Sequence, residues 1–155
     1  MAQSKRHIDW HSLVAVTTAV IAVLAAIASF RSSADASLML LEKNNASLYQ
    51  NQANKAWNSY LADNITSRVL KTDSNDEEQR RFQNQATELE NKVTEATNKS
   101  HSYFEKNSNL STAGTFLEVG IALSAMSILI KRKSFWIFSL LLAGVGVYFL
   151  AVGLL

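Results

Sequence analysis

Glu118 is the one charged side chain inside three long apolar stretches of this 155-residue chain. A carboxylate within a membrane span costs up to about 2.5–3.5 kcal/mol on the insertion scale, less near an end, and therefore ordinarily faces protein or water. Three roles suit it: a structural hydrogen bond or a reach to the interface, a contact with a neighbouring subunit, or a step in an ion or proton path. Thr17 and Thr18 are the hydroxyls that could partner it at equal depth, although Thr17 sits nearer the opposite end. Other chemistry-bearing types are sparse. His7 and His11 have the i, i+4 spacing of a metal pair but lack a third ligand nearby, and contact with headgroups is the favoured reading; His101 stands alone on a helix. Tyr49, Trp57 and Tyr60 share one helix face, where packing is favoured over a ligand pocket. Arg80-Arg81 follows Glu77-Glu78 and reads as a solvated helix face, not a phosphate or nucleic-acid site. With no cysteine, thiol nucleophiles, disulfides and thiolate metal sites are excluded. No nucleophile elbow, phosphate loop or carboxylate pair is present, so we expect no enzyme, no cofactor and no metal.

The elements that must position these residues are helices. The chain has no proline, and its five glycines all fall after residue 113, which leaves the first 113 residues without the two strongest breakers of regular backbone. Three stretches are long enough to cross a hydrocarbon layer of about 30 Å: residues 12–30, residues 110–130 and residues 134–155. Trp10, Phe135 and Trp136 flank them as interface anchors. The first stretch also has the alternative of a cleaved leader ending at Ala26-Ile27-Ala28, but its apolar run is longer than a usual leader core, and a span is the preferred reading.

Charge placement gives an orientation. The formal net charge is +2, yet residues 31–109 carry 10 basic and 11 acidic side chains, so the basic excess lies in the short flanks: Lys5 and Arg6, and the Lys131-Arg132-Lys133 turn. The positive-inside rule then places residues 1–11 and 131–133 in the cytoplasm and residues 31–109 outside.

Residues 31–109 read as an antiparallel helical hairpin. Phe82, Ala86, Leu89, Val93, Ala96, Ser100, Tyr103, Asn107 and Leu110 keep a 4–3 spacing that continues through Gly114, Leu117, Ile121 and Ser124. That is a heptad seam, and it predicts a left-handed coiled coil running into the second span. In the first span a small-residue stripe, Ala15, Ala19, Ala22, Ala26 and Ser29, predicts close helix packing, with Gly114, Gly120 and Ser124 its counterparts in the second span. Beyond the span this arm continues through Leu38, Leu41, Leu48, Tyr49, Ala53, Trp57, Leu61, Ile65 and Val69, a face that drifts around the helix. The reversal is expected at about residues 71–77, where Ser74 and Glu77 fit a capping box. The Asn-x-Ser/Thr triplets at Asn45, Asn64, Asn98 and Asn109 are chance matches in a segment rich in both residue types.

Several short elements resemble a bacterial family of small membrane proteins, the domain of unknown function 4337. They are Val14 to Ala19 with Ala25 to Ser29, Leu41-Glu42-Lys43-Asn44, Trp57-Asn58-Ser59-Tyr60, and Phe116-Leu117-Glu118 ahead of a basic turn and a third span. Leu61-Ala62-Asp63 replaces the Gln-Ala-Lys-like continuation of the family's Trp-x-x-Tyr element. The resemblance implies a three-span bacterial inner-membrane protein and supplies no activity or ligand. The expectation is thus an all-α membrane protein that acts by self-association or by holding an extracytoplasmic protein partner. An oligomeric ion pathway through Glu118 is the alternative.

Overall fold

A computed structural model describes residues 10–70 and 76–155. Lys5, Arg6, His7 and most of the expected reversal, including Ser74, lie outside the described residues. Among the described residues the protein is all-helical: α1 is Trp10–Leu70, α2 is Asp76–Ile130 and α3 is Lys133–Leu154. Each contains a stretch long and apolar enough to cross a membrane. The absence of proline and of early glycine explains why α1 continues for 61 residues without a break. Asp76, Glu77 and Glu78 occupy the first turn of α2, where carboxylates oppose the positive end of the helix dipole. Lys131 ends α2 in the left-handed region at φ 55°, and Arg132 is extended, so the chain reverses into α3 within two residues.

The chain divides into two compact units, Met1–Ala36 with Phe104–Leu155, and Ser37–Tyr103. In the first unit the core comprises Ile21, Ala25 and Ala28 of α1, Leu110, Ala113 and Leu117 of α2, and Ala143 and Leu150 of α3. Here α2 is covered on two sides. One stripe, Leu110, Gly114, Leu117 and Ser124, lies on the predicted seam, and a second, Ala113, Gly120 and Ser127, is also buried. Glycine makes the contact between α2 and α3 close. A Cβ on Gly120 would lie 3.3 Å from the Ser139 carbonyl oxygen, and one on Gly146 or Gly153 would lie 2.8 Å from the Cγ of Leu117 or Leu110. Gly144, by contrast, has nothing within 4 Å.

The packing register of α1 differs from the expected stripe. Ala15, Ala19, Ala22, Ala26 and Ser29 are all exposed, while Val14, Ile21, Ala25, Ala28 and Asp35 are buried and Thr18 and Ser32 half-buried. These seven positions keep a strict 4–3 spacing one residue out of step with the stripe. Both registers are rich in small or apolar side chains, and nothing in their hydropathy separates a helix-facing position from a lipid-facing one.

In the second unit the seam of α2 is placed as follows: Ala86, Leu89 and Ala96 are buried, and Phe82, Val93, Ser100 and Tyr103 half-buried. On α1, Ala53 and Ala56 are buried and Met39, Glu42, Ala46, Tyr49, Tyr60, Asp63 and Ser67 half-buried, again at 4–3 spacing. The drifting apolar face is therefore corrected: Leu38, Leu41, Leu48, Leu61, Ile65 and Val69 are exposed. The buried positions of α1 here are the small Ala53 and Ala56, and the leucines lie outside.

Candidate functional site

Glu118 lies on the exposed side of α2, in the first unit. Ser111, Thr115 and Glu118 fall at i, i+4 and i+7 and so share a helix face. Opposite them α1 presents Ser29, Ser32 and Ser33, also within two turns. Together with Leu110 and Gly114 these residues line a groove of about 300 Å³. At Gly114 a Cβ would come 3.7 Å from the Ser29 hydroxyl, an ordinary contact. The result is a carboxylate in a hydroxyl-lined groove on a helix long and apolar enough to span a membrane. Hydroxyls and a carboxylate are hard oxygen donors and acceptors, suited to hydrogen bonding or to a cation.

Thr17 and Thr18 belong to a different part of the unit. The Thr18 hydroxyl pairs with the Ser124 hydroxyl across α1 and α2, and also donates to the Val14 carbonyl at 2.7 Å. Thr17 accepts the indole N–H of Trp136 at 3.1 Å. Two more side-chain bonds tie the helices together: Ser32 donates to Asn107, and Ser139 donates to the Gly120 carbonyl at 2.7 Å. Such bonds matter where water is scarce, because a donor without a partner there loses its hydrogen bond altogether.

At the α2–α3 turn, Lys131, Arg132 and Lys133 are exposed. Ser127 donates to the Arg132 carbonyl at 3.1 Å and holds the turn. Lys133 Nζ lies 5.4 Å from the centre of the Trp10 ring, and Trp10 meets Trp136 edge-on with centroids 5.1 Å apart. His11 is exposed nearby in sequence, and its suggested metal partner His7 lies outside the described residues.

In the second unit, Trp57 contacts Tyr60 edge-on at 5.8 Å and donates its indole N–H to Glu90 at 2.7 Å. Tyr49 is half-buried on the seam. Tyr49 and Tyr60 thus lie on the 4–3 register of α1 with Trp57 beside it, and the nearby groove of about 230 Å³ is lined by Gln52, Lys55, Ala56, Ser59, Phe82 and Gln85. Glu88 and Glu95 each meet a lysine four residues on, at 2.7 Å. The hydrogen bond and then the charge of Lys92 or Lys99 hold each carboxyl below the usual glutamate range, and each lysine is raised in return.

Asp35 was not singled out from sequence. It is 4% exposed, and its Oδ2 has no hydrogen-bond partner among the described residues; Asp63 Oδ2 is in the same state in the second unit. The signal that finds Asp35 is the 4–3 count from Val14 through Thr18 and Ser32, which places a carboxylate on the packing face.

No curated protein and no solved structure matches the chain. The family described as Domain of unknown function (DUF4337) matches residues 67–155. The matched segment holds Glu118, the basic turn and all five glycines, and excludes the elements quoted above from residues 14–60. Since the match takes in more than half of the chain, this protein belongs to the DUF4337 family.

Proposed function

We propose that this is a non-enzymatic, multi-pass protein of the bacterial inner membrane, anchored by three spans and acting through an extracytoplasmic helical arm. Self-association and the holding of a protein partner are its work, with no nucleic acid and no cofactor involved. The observation that carries this reading is length. A span needs about 20 residues, whereas α1 and α2 run unbroken for 61 and 55. The surplus helix is polar and cannot lie in hydrocarbon. Paired as a coiled-coil hairpin within residues 31–109, it offers a surface that includes the exposed Leu61, Ile65 and Val69. The basic turn at Lys131 to Lys133, with Lys5 and Arg6, orients the N-terminus to the cytoplasm.

The test is co-purification. Two differently tagged copies, co-expressed and extracted in mild detergent, are expected to recover each other or a common partner. A strictly monomeric protein that recovers nothing overturns the proposal. A second reading, an ion or proton pathway between several copies, is supported by the placement of Glu118 in a hydroxyl-lined groove. It requires liposome ion flux that Glu118→Gln abolishes; equal flux in both proteins removes it.

A further inference from the structure

The α2–α3 turn holds three consecutive exposed cations between two apolar helices. We propose that Lys131, Arg132 and Lys133, with the Trp10–Trp136 pair, form a binding surface for the phosphate headgroup of an anionic phospholipid in the surrounding membrane. This rests on the three-span reading above.

Three observations converge on it. The first is uncompensated charge. The three cations are consecutive and exposed, and none has an ion-pair partner among the described residues. Along α2 the first carboxylate met is Glu118, about 20 Å down the helix. By sequence alone, residues 1–9 carry Lys5 and Arg6 against Asp9. The second is the aromatic floor. Trp10 and Trp136 are held edge-on to each other, Trp136 is fixed by its bond to Thr17, and Lys133 sits over the Trp10 face. Indole rings favour the headgroup level, because one end is apolar and the N–H can reach a polar partner. The third is the flank. Leu129 is 81% exposed just before the turn and Phe138 is 61% exposed just after it. A ligand matching this pattern is anionic at one end and apolar at the other. Soluble phosphate matches only the cations, and a phospholipid matches both.

The backbone supplies a useful separation. Lys131 adopts φ 55°, a left-handed conformation in which glycine is the usual residue at a helix end. Lys131→Gly therefore relieves the backbone while deleting a cation.

The experiment uses the full-length protein in a neutral detergent, with dioleoyl phosphatidylglycerol or dioleoyl phosphatidylcholine added and bound lipid counted by native mass spectrometry. Each cation near an anionic surface is worth about fivefold in binding, about 1 kcal/mol. Arg132→Gln with Lys133→Gln is expected to weaken phosphatidylglycerol binding about 25-fold and to leave phosphatidylcholine unchanged. Lys131→Gly is expected to weaken it about fivefold while the thermal midpoint holds or rises. Inorganic phosphate is expected to displace the lipid no better than chloride at matched ionic strength. Phosphatidylglycerol affinities within twofold of the parent protein overturn the proposal, as does preferential displacement by phosphate, which would make the ligand a soluble anion. A chain that inserts into vesicles but shows no lipid preference defeats this proposal alone. One that fails to insert defeats it together with the three-span reading.

Discussion

Gly144 and Gly146 stand two residues apart in the same helix and make opposite demands on it. A Cβ on Gly146 would lie 2.8 Å from Leu117 Cγ, 3.1 Å from Leu117 Cδ2 and 3.2 Å from the Ala113 carbonyl oxygen. Leu117 is fully buried in the cluster formed with Ile21, Ala25 and Leu110, and Cγ is its branch point, so it has no free direction in which to give. The Ala113 oxygen is backbone and moves only with α2. Overpacking of this kind costs about 1–3 kcal/mol. Gly144 has nothing within 4 Å of its would-be Cβ, so Gly144→Ala meets no such cost. Both substitutions gain the same helix propensity, about 1 kcal/mol in soluble helices, and that gain cancels in the comparison. Gly146→Ala is therefore expected to be about 1–3 kcal/mol less stable than Gly144→Ala. Reversible unfolding in mixed micelles, titrated with dodecyl sulfate and followed by circular dichroism, measures the difference. If Gly146→Ala equals or exceeds Gly144→Ala in stability, α2 and α3 do not approach as closely as described and the packing argument fails.

Other expectations use the same assay. Ser124→Ala removes the hydroxyl paired with Thr18, and Ser139→Ala removes the donor to the Gly120 carbonyl. Each is expected to cost about 0.6 kcal/mol, and at most about 1.7 kcal/mol, the range of interhelical hydrogen bonds in membranes. Asp35→Leu takes a carboxylate oxygen without a partner off the packing face and is expected to stabilise by about 1–3 kcal/mol; a loss of stability contradicts this expectation. The Glu88–Lys92 and Glu95–Lys99 pairs give a pH dependence. Their glutamates are depressed, so this contribution is present above the unfolded glutamate value and lost as pH falls through the folded one. Their lysines are raised, so that side is full below the unfolded lysine value and lost as pH rises through the folded one. The thermal midpoint is thus expected to be flat between, to fall slightly at either extreme, and to lose this dependence in high salt; Glu88→Gln with Glu95→Gln should flatten the acid limb.

How much of this was legible in the sequence depended on contrast. On α2 the 4–3 count was readable because Phe82, Leu89, Val93 and Leu110 stand out from polar neighbours, and those positions are buried or half-buried. On α1 the first span is apolar all round, and alanines fill the exposed register as readily as the packed one. The discriminating residues were the polar ones, Thr18, Ser32 and Asp35, which a search for apolar periodicity passes over. Glu118 was visible as a lone charge, but its hydroxyl surroundings were not, because three of the five hydroxyls come from a helix some eighty residues away in the chain. Likewise Trp10 and Trp136 each read as an interface anchor, while their mutual contact depends on how three helices assemble. The unbroken course of α1 and α2 was only a suggestion of the heptad count, since local polarity at Ser100 and Asn107 also suited a break. The continuous helix keeps both residues within it, with the Ser100 hydroxyl donating to the Met39 carbonyl at 3.3 Å and Asn107 accepting from Ser32.

The central proposal is that the three helices cross the membrane, with residues 31–109 outside and the basic turn in the cytoplasm. Because the chain has no cysteine, each introduced thiol is a unique label. Thr97→Cys on α2 and Ser134→Cys at the start of α3 are both at exposed positions. With a membrane-impermeant maleimide on intact spheroplasts, the account predicts that Thr97→Cys is labelled at once and that Ser134→Cys is labelled only after permeabilisation. Labelling of both from outside, or of Ser134→Cys alone, contradicts it.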